Sequence, residues 1–215
     1  MNGDFEAARG RRKVDRAVLL AHGAGAGRNA APLVATAGAL AEAGVPSLRF
    51  DFPYRAAGRK APDRPPVLLE AVREAAAELA RRTGLPAERI VLGGRSMGGR
   101  YCSLAAGDAE DPLPALGLLL QGYPLHPAGR PDSLRVEHFP RLGLPVLFLS
   151  GDRDAMAPRA DLERWAKTIP GPVSFHWLAG GDHGFRVPRS RGGQGEAAVM
   201  AEVAAASVAW VTGLA

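Results

Sequence analysis

The 215-residue chain has one cysteine, Cys102. No internal disulfide can form, which excludes a disulfide scaffold and fits a reducing compartment. Lysine occurs only at Lys13, Lys60 and Lys167, so nearly all of the 27 basic residues are arginine. They are mixed with acids along the chain and form no basic run interleaved with aromatics, so nothing reads a nucleic-acid groove. Long apolar runs are missing too. Purely aliphatic stretches such as Leu118-Leu119-Leu120 fall far short of the roughly 20 residues that span a bilayer. The N-terminal stretch has no apolar core of signal-peptide length. No clustered His/Cys spacing suggests a metal, and no organic cofactor is called for. These absences predict a soluble, cytoplasmic protein without membrane or nucleic-acid partners. The net charge of +5 says little more about partners, and the oligomeric state is not legible.

What is present is an ordinary globular composition, 47% apolar and 23% charged, enough to build one large core. Short apolar runs alternate with helical patterns. Strands are expected at 16–21, 45–50, 89–92, 115–121, 145–150 and 173–178. Helices are expected at 30–43, 67–82, 97–106, 157–168 and 195–211. Two Pro-rich loops, 51–66 and 122–143, interrupt the alternation. Strands joined through helices imply right-handed crossovers and a mostly parallel sheet of about six strands, flanked by helices in a three-layer sandwich. Residues 16–215 are assigned to this single domain and residues 1–15 to a flexible basic N-terminal segment. Such sheets bind ligands beyond the carboxyl ends of their strands. Each chemically suggestive residue follows a strand.

Gly94-Arg95-Ser96-Met97-Gly98 lies between a strand and a helix. Gly-x-Ser-x-Gly in that context is a nucleophile elbow, a turn too tight for large side chains at its flanks. Ser96 needs a base. His183, in Gly180-Gly181-Asp182-His183-Gly184-Phe185 after the last strand, is the best placed of five histidines. The base needs an acceptor on its other nitrogen. Gly151-Asp152-Arg153-Asp154 follows a strand, and Asp154 is preferred to Asp152 because the turn must clear the strand first. Oxyanion donors are assigned to the N–H of Met97 and to the loop His22-Gly23-Ala24-Gly25, with Ala24 ahead of Gly25. The glycines of that loop lack dinucleotide-fingerprint spacing and any Gly-Lys-Ser/Thr, which argues against a phosphate loop. Tyr54, Arg95, Tyr123 and His126 are assigned to the substrate pocket.

The order oxyanion loop, Ser96, Asp154, His183 resembles the α/β-hydrolase arrangement. The chain is similar to small, lidless, dienelactone-hydrolase-like members of that superfamily. More narrowly, it resembles the group that includes testis-expressed protein 30 and the third regulatory subunit of the NSL complex. The stretches that carry this are AHGAGAG (21–27), RFDFPY (49–54), GGRSMGGR (93–100), GYPLHPAGRP (122–131), GDRD (151–154) and GGDHGF (180–185). The resemblance implies an α/β-hydrolase fold without a lid domain and a Ser-Asp-His triad. True dienelactone hydrolases carry a cysteine where this chain has Ser96.

The expected function is hydrolysis of an ester or related acyl bond of a small-molecule substrate through an acyl-enzyme. The alternative is a hydrolase fold used as a non-catalytic binding or scaffold module. Arg55, Arg59, Lys60, Arg64, Arg130, Arg135 and Arg141 in the two long loops, with Arg95, further suggest a pocket that favours anionic substrates.

Overall fold

The computed structural model of the chain describes residues 3–9, 15–188 and 195–215. Its strands are β1 Gly3–Glu6, β2 Ala17–Ala21, β3 Ser47–Phe50, β4 Ile90–Arg95, β5 Gly117–Gln121, β6 Val146–Gly151 and β7 Val173–Leu178. The helices are α1 Ala31–Glu42, the single turn α2 Pro53–Ala56, α3 Pro65–Thr83, α4 Met97–Ala106, α5 Arg159–Ala166 and α6 Glu196–Gly213. The strands form one sheet in the order β1-β3-β2-β4-β5-β6-β7. All neighbours are parallel except β1, which runs antiparallel to β3.

The central strands are buried on both faces, which is why they read as unbroken apolar runs. Their side chains still alternate. Val18, Leu20, Val91, Leu119 and Leu147 pack with Leu33, Ala37 and Leu40 of α1 and Val211 of α6. The opposite set, among them Leu19, Leu92, Leu120 and Phe148, packs with Leu68, Val72 and Leu79 of α3, Tyr101 and Cys102 of α4, and Leu162 of α5. Each fully buried Leu or Phe contributes about 1.5–3 kcal/mol by transfer from water. The result is the expected three-layer arrangement. Among the described residues no inserted domain covers the sheet's carboxyl edge.

Three expectations need correction. There are seven strands rather than about six, because part of the expected flexible segment is ordered. Phe5 packs onto the core, and Arg28 bonds Asp4 at 2.9 Å, so Gly3–Glu6 hold as an edge strand. The remainder of that segment at 1–2 and 10–14 lies outside the described residues. The strand expected to end at 92 continues to Arg95, since Gly93 and Gly94 pair with Leu20 and Ala21 of β2. The loop expected at 51–66 contains α2, and α3 already begins at Pro65, where proline suits a first helical turn.

The chain leaves β2 for β3 on one side and later returns to β4 on the other. That reversal opens a crevice at the carboxyl ends of β2 and β4.

Candidate active site

Ser96 sits between β4 and α4 with φ 51° and ψ −115°, a left-handed conformation that a non-glycine residue adopts only when its surroundings enforce it. The enforcement is backbone packing. A Cβ on either Gly94 or Gly98 would run into the Ala21 carbonyl at the end of β2. Both flanking glycines therefore answer one demand: the elbow presses directly on the neighbouring strand. Ser96 N–H donates to the Gln121 carbonyl at 2.9 Å, which fixes the turn to β5.

The Ser96 hydroxyl and His183 Nε2 are 2.9 Å apart. His183 Nδ1 and Asp154 Oδ2 are 2.7 Å apart. A carboxylate only accepts, so Nδ1–H donates to Asp154 and Nε2 accepts from the serine hydroxyl. Asp154 is 2% exposed, and its other oxygen accepts the Met156 N–H at 2.8 Å. Asp152 points elsewhere and accepts the Gly180 N–H at 2.7 Å, which ties the acid turn to the histidine turn. The structure thus brings together Ser96, His183 and Asp154, three residues far apart in sequence.

Opposite the elbow, in the loop 22–27, the carbonyls of Gly23, Ala24 and Gly27 are engaged. Tyr54 donates its hydroxyl to the Ala24 carbonyl at 2.8 Å, and His22 Nδ1 lies 2.8 Å from the Gly23 carbonyl. His22 Nε2 accepts the Phe52 N–H at 3.1 Å, so the proton is on Nδ1 and the ring is neutral. Burial holds its pKa below the ordinary value; Asp51 at 3.7 Å opposes that shift. The N–H groups of Ala24 and Met97 have no acceptor among the described residues. Met97 is the first residue of α4, where helical N–H groups lack intrahelical partners and the dipole favours negative charge.

Ala24, Ser96 and Met97 line one cleft of about 310 Å³. Both long loops contribute to its walls, with Pro62 and Asp63 from the first and Pro124, Pro127 and Arg135 from the second. None of the four side chains assigned to the pocket lines it. Tyr54 is fully buried beneath the loop 22–27. Tyr123 is fully buried and donates its hydroxyl to the Arg135 carbonyl at 2.5 Å. His126 is buried with Nδ1 2.9 Å from the Pro127 carbonyl. Arg95 faces away from the cleft: its guanidinium lies 4.4 Å from the Phe185 ring and reaches the carbonyls of Gln121 and Gly122 at 3.3 Å. Burial lowers its pKa to about 10, with Asp154 and Asp182 acting in the other direction. Arg95 clamps the histidine turn from beneath. Tyrosine and arginine read as pocket residues from sequence because their polar ends suggest ligand contact; here those ends are spent on backbone carbonyls.

Arg100, Asp63 and Met156 line the cleft and were not assigned from sequence. The signal for Arg100 was available: it lies four residues beyond Ser96, one helical turn on the same face. Among the described residues no group of three His, Cys, Asp or Glu side chains is arranged to hold a metal. No described helix is long and apolar enough to cross a membrane.

A family model described as "Alpha/beta hydrolase domain" matches residues 14–212. The chain belongs to the alpha/beta hydrolase family. Its fold is the α/β-hydrolase fold, as solved structures also show. An alpha-beta serine hydrolase homologue from Coxiella burnetii superposes with a TM-score of 0.74 at 18% identity, over 96% of this chain and 89% of that one. The dienelactone hydrolase from Anabaena variabilis gives 0.72 at 20% identity, over 98% and 90%. Est1E from Butyrivibrio proteoclasticus, with ferulic acid bound, gives 0.73 at 18% identity, over 99% and 94%. At these identities the likeness concerns the fold of this alpha/beta hydrolase.

Proposed function

We propose that this alpha/beta hydrolase is a serine hydrolase that cleaves an ester or related acyl bond of a small molecule. The observation that carries the reading is the unbroken chain of hydrogen bonds from Ser96 through His183 to a buried Asp154. His183 Nε2 takes the hydroxyl proton as Ser96 Oγ attacks the carbonyl carbon, and Asp154 stabilises the imidazolium that forms. The carbonyl oxygen, now anionic, receives the N–H groups of Ala24 and Met97. The imidazolium returns its proton to the leaving alcohol. Water then enters, His183 deprotonates it as it attacks the acyl carbon, and the imidazolium returns that proton to Ser96 Oγ as the carboxylic acid leaves. The dienelactone hydrolase among the similar structures is in keeping with acyl chemistry.

The test is labelling with a fluorophosphonate probe beside turnover of short p-nitrophenyl esters. Wild type labels and turns over. Ser96→Ala does neither, with a rate loss on the order of 10⁵–10⁶, the scale of nucleophile removal in a comparable triad. Folded wild-type protein that neither labels nor hydrolyses any ester, thioester or amide of a panel would instead be a binding module on a hydrolase fold.

A further inference from the structure

We propose that Arg100 and Arg135 form an anion subsite in the Ser96 cleft and that it binds a carboxylate carried on the acyl part of the substrate. This rests on the acyl-transfer reading above and adds the substrate class.

Both arginines line the cleft that holds Ser96. Among the described residues, neither guanidinium makes a hydrogen bond or ion pair; Arg100 lies over the Tyr101 ring at 5.4 Å. Arg100 Nε is buried with no partner, a donor withdrawn from water and left unused. Leaving a charged donor unsatisfied is costly, and a ligand carboxylate relieves that cost.

The charge balance points the same way. The ionisable side chains of the cleft wall are Arg100, Arg135 and Asp63. Asp63 pairs through Oδ1 with Arg59 at 2.8 Å while its buried Oδ2 has no partner, so the wall carries two arginines against one carboxylate. The two arginines are near enough that burial and Arg100 together lower the pKa of Arg135. His138, packed behind them, adds no charge: burial, Arg100 and Arg141 push its pKa down to about 3. Tyr123, Tyr101 and the exposed Glu137 act on Arg135 in the other direction.

The subsite is also held in place. The Arg135 N–H donates to the Leu125 carbonyl at 2.9 Å, and its own carbonyl accepts the Tyr123 hydroxyl at 2.5 Å. Arg100 N–H donates to the Ser96 carbonyl at 3.0 Å, so Arg100 rides on the first turn of α4. That puts it about 6 Å of helix rise beyond the nucleophile. His183 does not line this cleft, and the leaving group must depart beside the imidazole that protonates it. The cleft is therefore the acyl side. A short dicarboxylic half-ester fits: its reacting carbonyl sits over Ser96 and its free carboxylate about one helical turn away.

The experiment compares p-nitrophenyl hydrogen glutarate with p-nitrophenyl valerate, acyl chains of equal length with and without the charge. In wild type, kcat/KM should favour the glutarate by about tenfold or more, the scale of a hydrogen bond to a charged group. In Arg135→Gln and Arg100→Gln that ratio should fall towards one, and in Arg135→Lys it should be partly retained. A second arm does not need catalysis. Ser96→Ala protein is titrated with glutarate and, separately, with inorganic phosphate by calorimetry; glutarate should bind, and adding Arg135→Gln should weaken it about tenfold or more. If wild type hydrolyses no ester but Ser96→Ala binds glutarate through Arg135, the subsite stands and the acyl-transfer reading falls. A ratio near one in folded, active wild type overturns the subsite. So does binding of phosphate without binding of glutarate.

Discussion

At the elbow around Ser96, shape is enforced by backbone pressing on backbone; in the loop 22–27 across the cleft, it is held by side chains. A Cβ on Gly94 or Gly98 meets the Ala21 carbonyl, whereas a Cβ on Gly25 meets nothing within 4 Å. The loop depends instead on the His22 ring, the Tyr54 hydroxyl and Asp51, which accepts the Arg28 N–H at 2.8 Å. These two turns supply the two proposed oxyanion donors, Met97 and Ala24. One donor is locked by steric exclusion and the other by replaceable hydrogen bonds. Mutation should therefore affect the two sides of the same small pocket very differently.

The largest effect should come from Gly98→Ala. The added methyl has no flexible neighbour to displace, so we expect a loss of about 1–3 kcal/mol or more in urea unfolding. Gly25→Ala, with open space around it, should stay within about 0.5 kcal/mol. Equal losses at the two positions would break the comparison. Tyr54→Phe should come next. It removes the donor to the Ala24 carbonyl and should cost about 1 kcal/mol. It should also lower kcat more than it raises KM, because the oxyanion donor matters mainly in the transition state.

The smallest effect is a difference in acid sensitivity. His22 is held neutral by burial with a folded pKa below its ordinary 6.5. The unfolded chain takes up the proton more readily, so the His22 contribution to stability is complete above about pH 6.5 and declines as pH falls below it. Protonating Nε2 would also remove the acceptor for the Phe52 N–H. The urea midpoint of wild type should therefore fall more steeply between pH 7 and 5 than that of His22→Asn. His138, with a folded pKa of about 3, should leave a residual slope in both proteins.

Much of this was legible in the sequence, and the reasons are physical. The apolar runs 118–120 and 146–149 could only be covered strands, and glycines flanking Ser96 mark a turn pressed against its neighbour. Ser96, His183 and Asp154 were readable because each follows a strand, and a parallel sheet gathers those ends on one edge. Pocket walls were not readable in the same way. Whether Tyr123 or Arg95 faces a ligand or a backbone carbonyl depends on side-chain direction within long loops, which no periodicity fixes. Of the eight cations singled out as pocket candidates, only Arg135 reaches the cleft, while Arg100 on a regular helix was passed over. The edge strand at Gly3–Glu6 escaped because one apolar residue, Phe5, is too faint a pattern.

Cys102 sits inside α4 with its thiol donating to the Gly93 carbonyl at 3.3 Å, and burial pushes its pKa up to about 12. Thiolate chemistry is thereby closed to the chain's sole sulfhydryl. A new cysteine placed on the rim of the cleft would be the one site open to maleimide dyes or spin labels, so a reporter can be set on either long loop without first stripping the native residue.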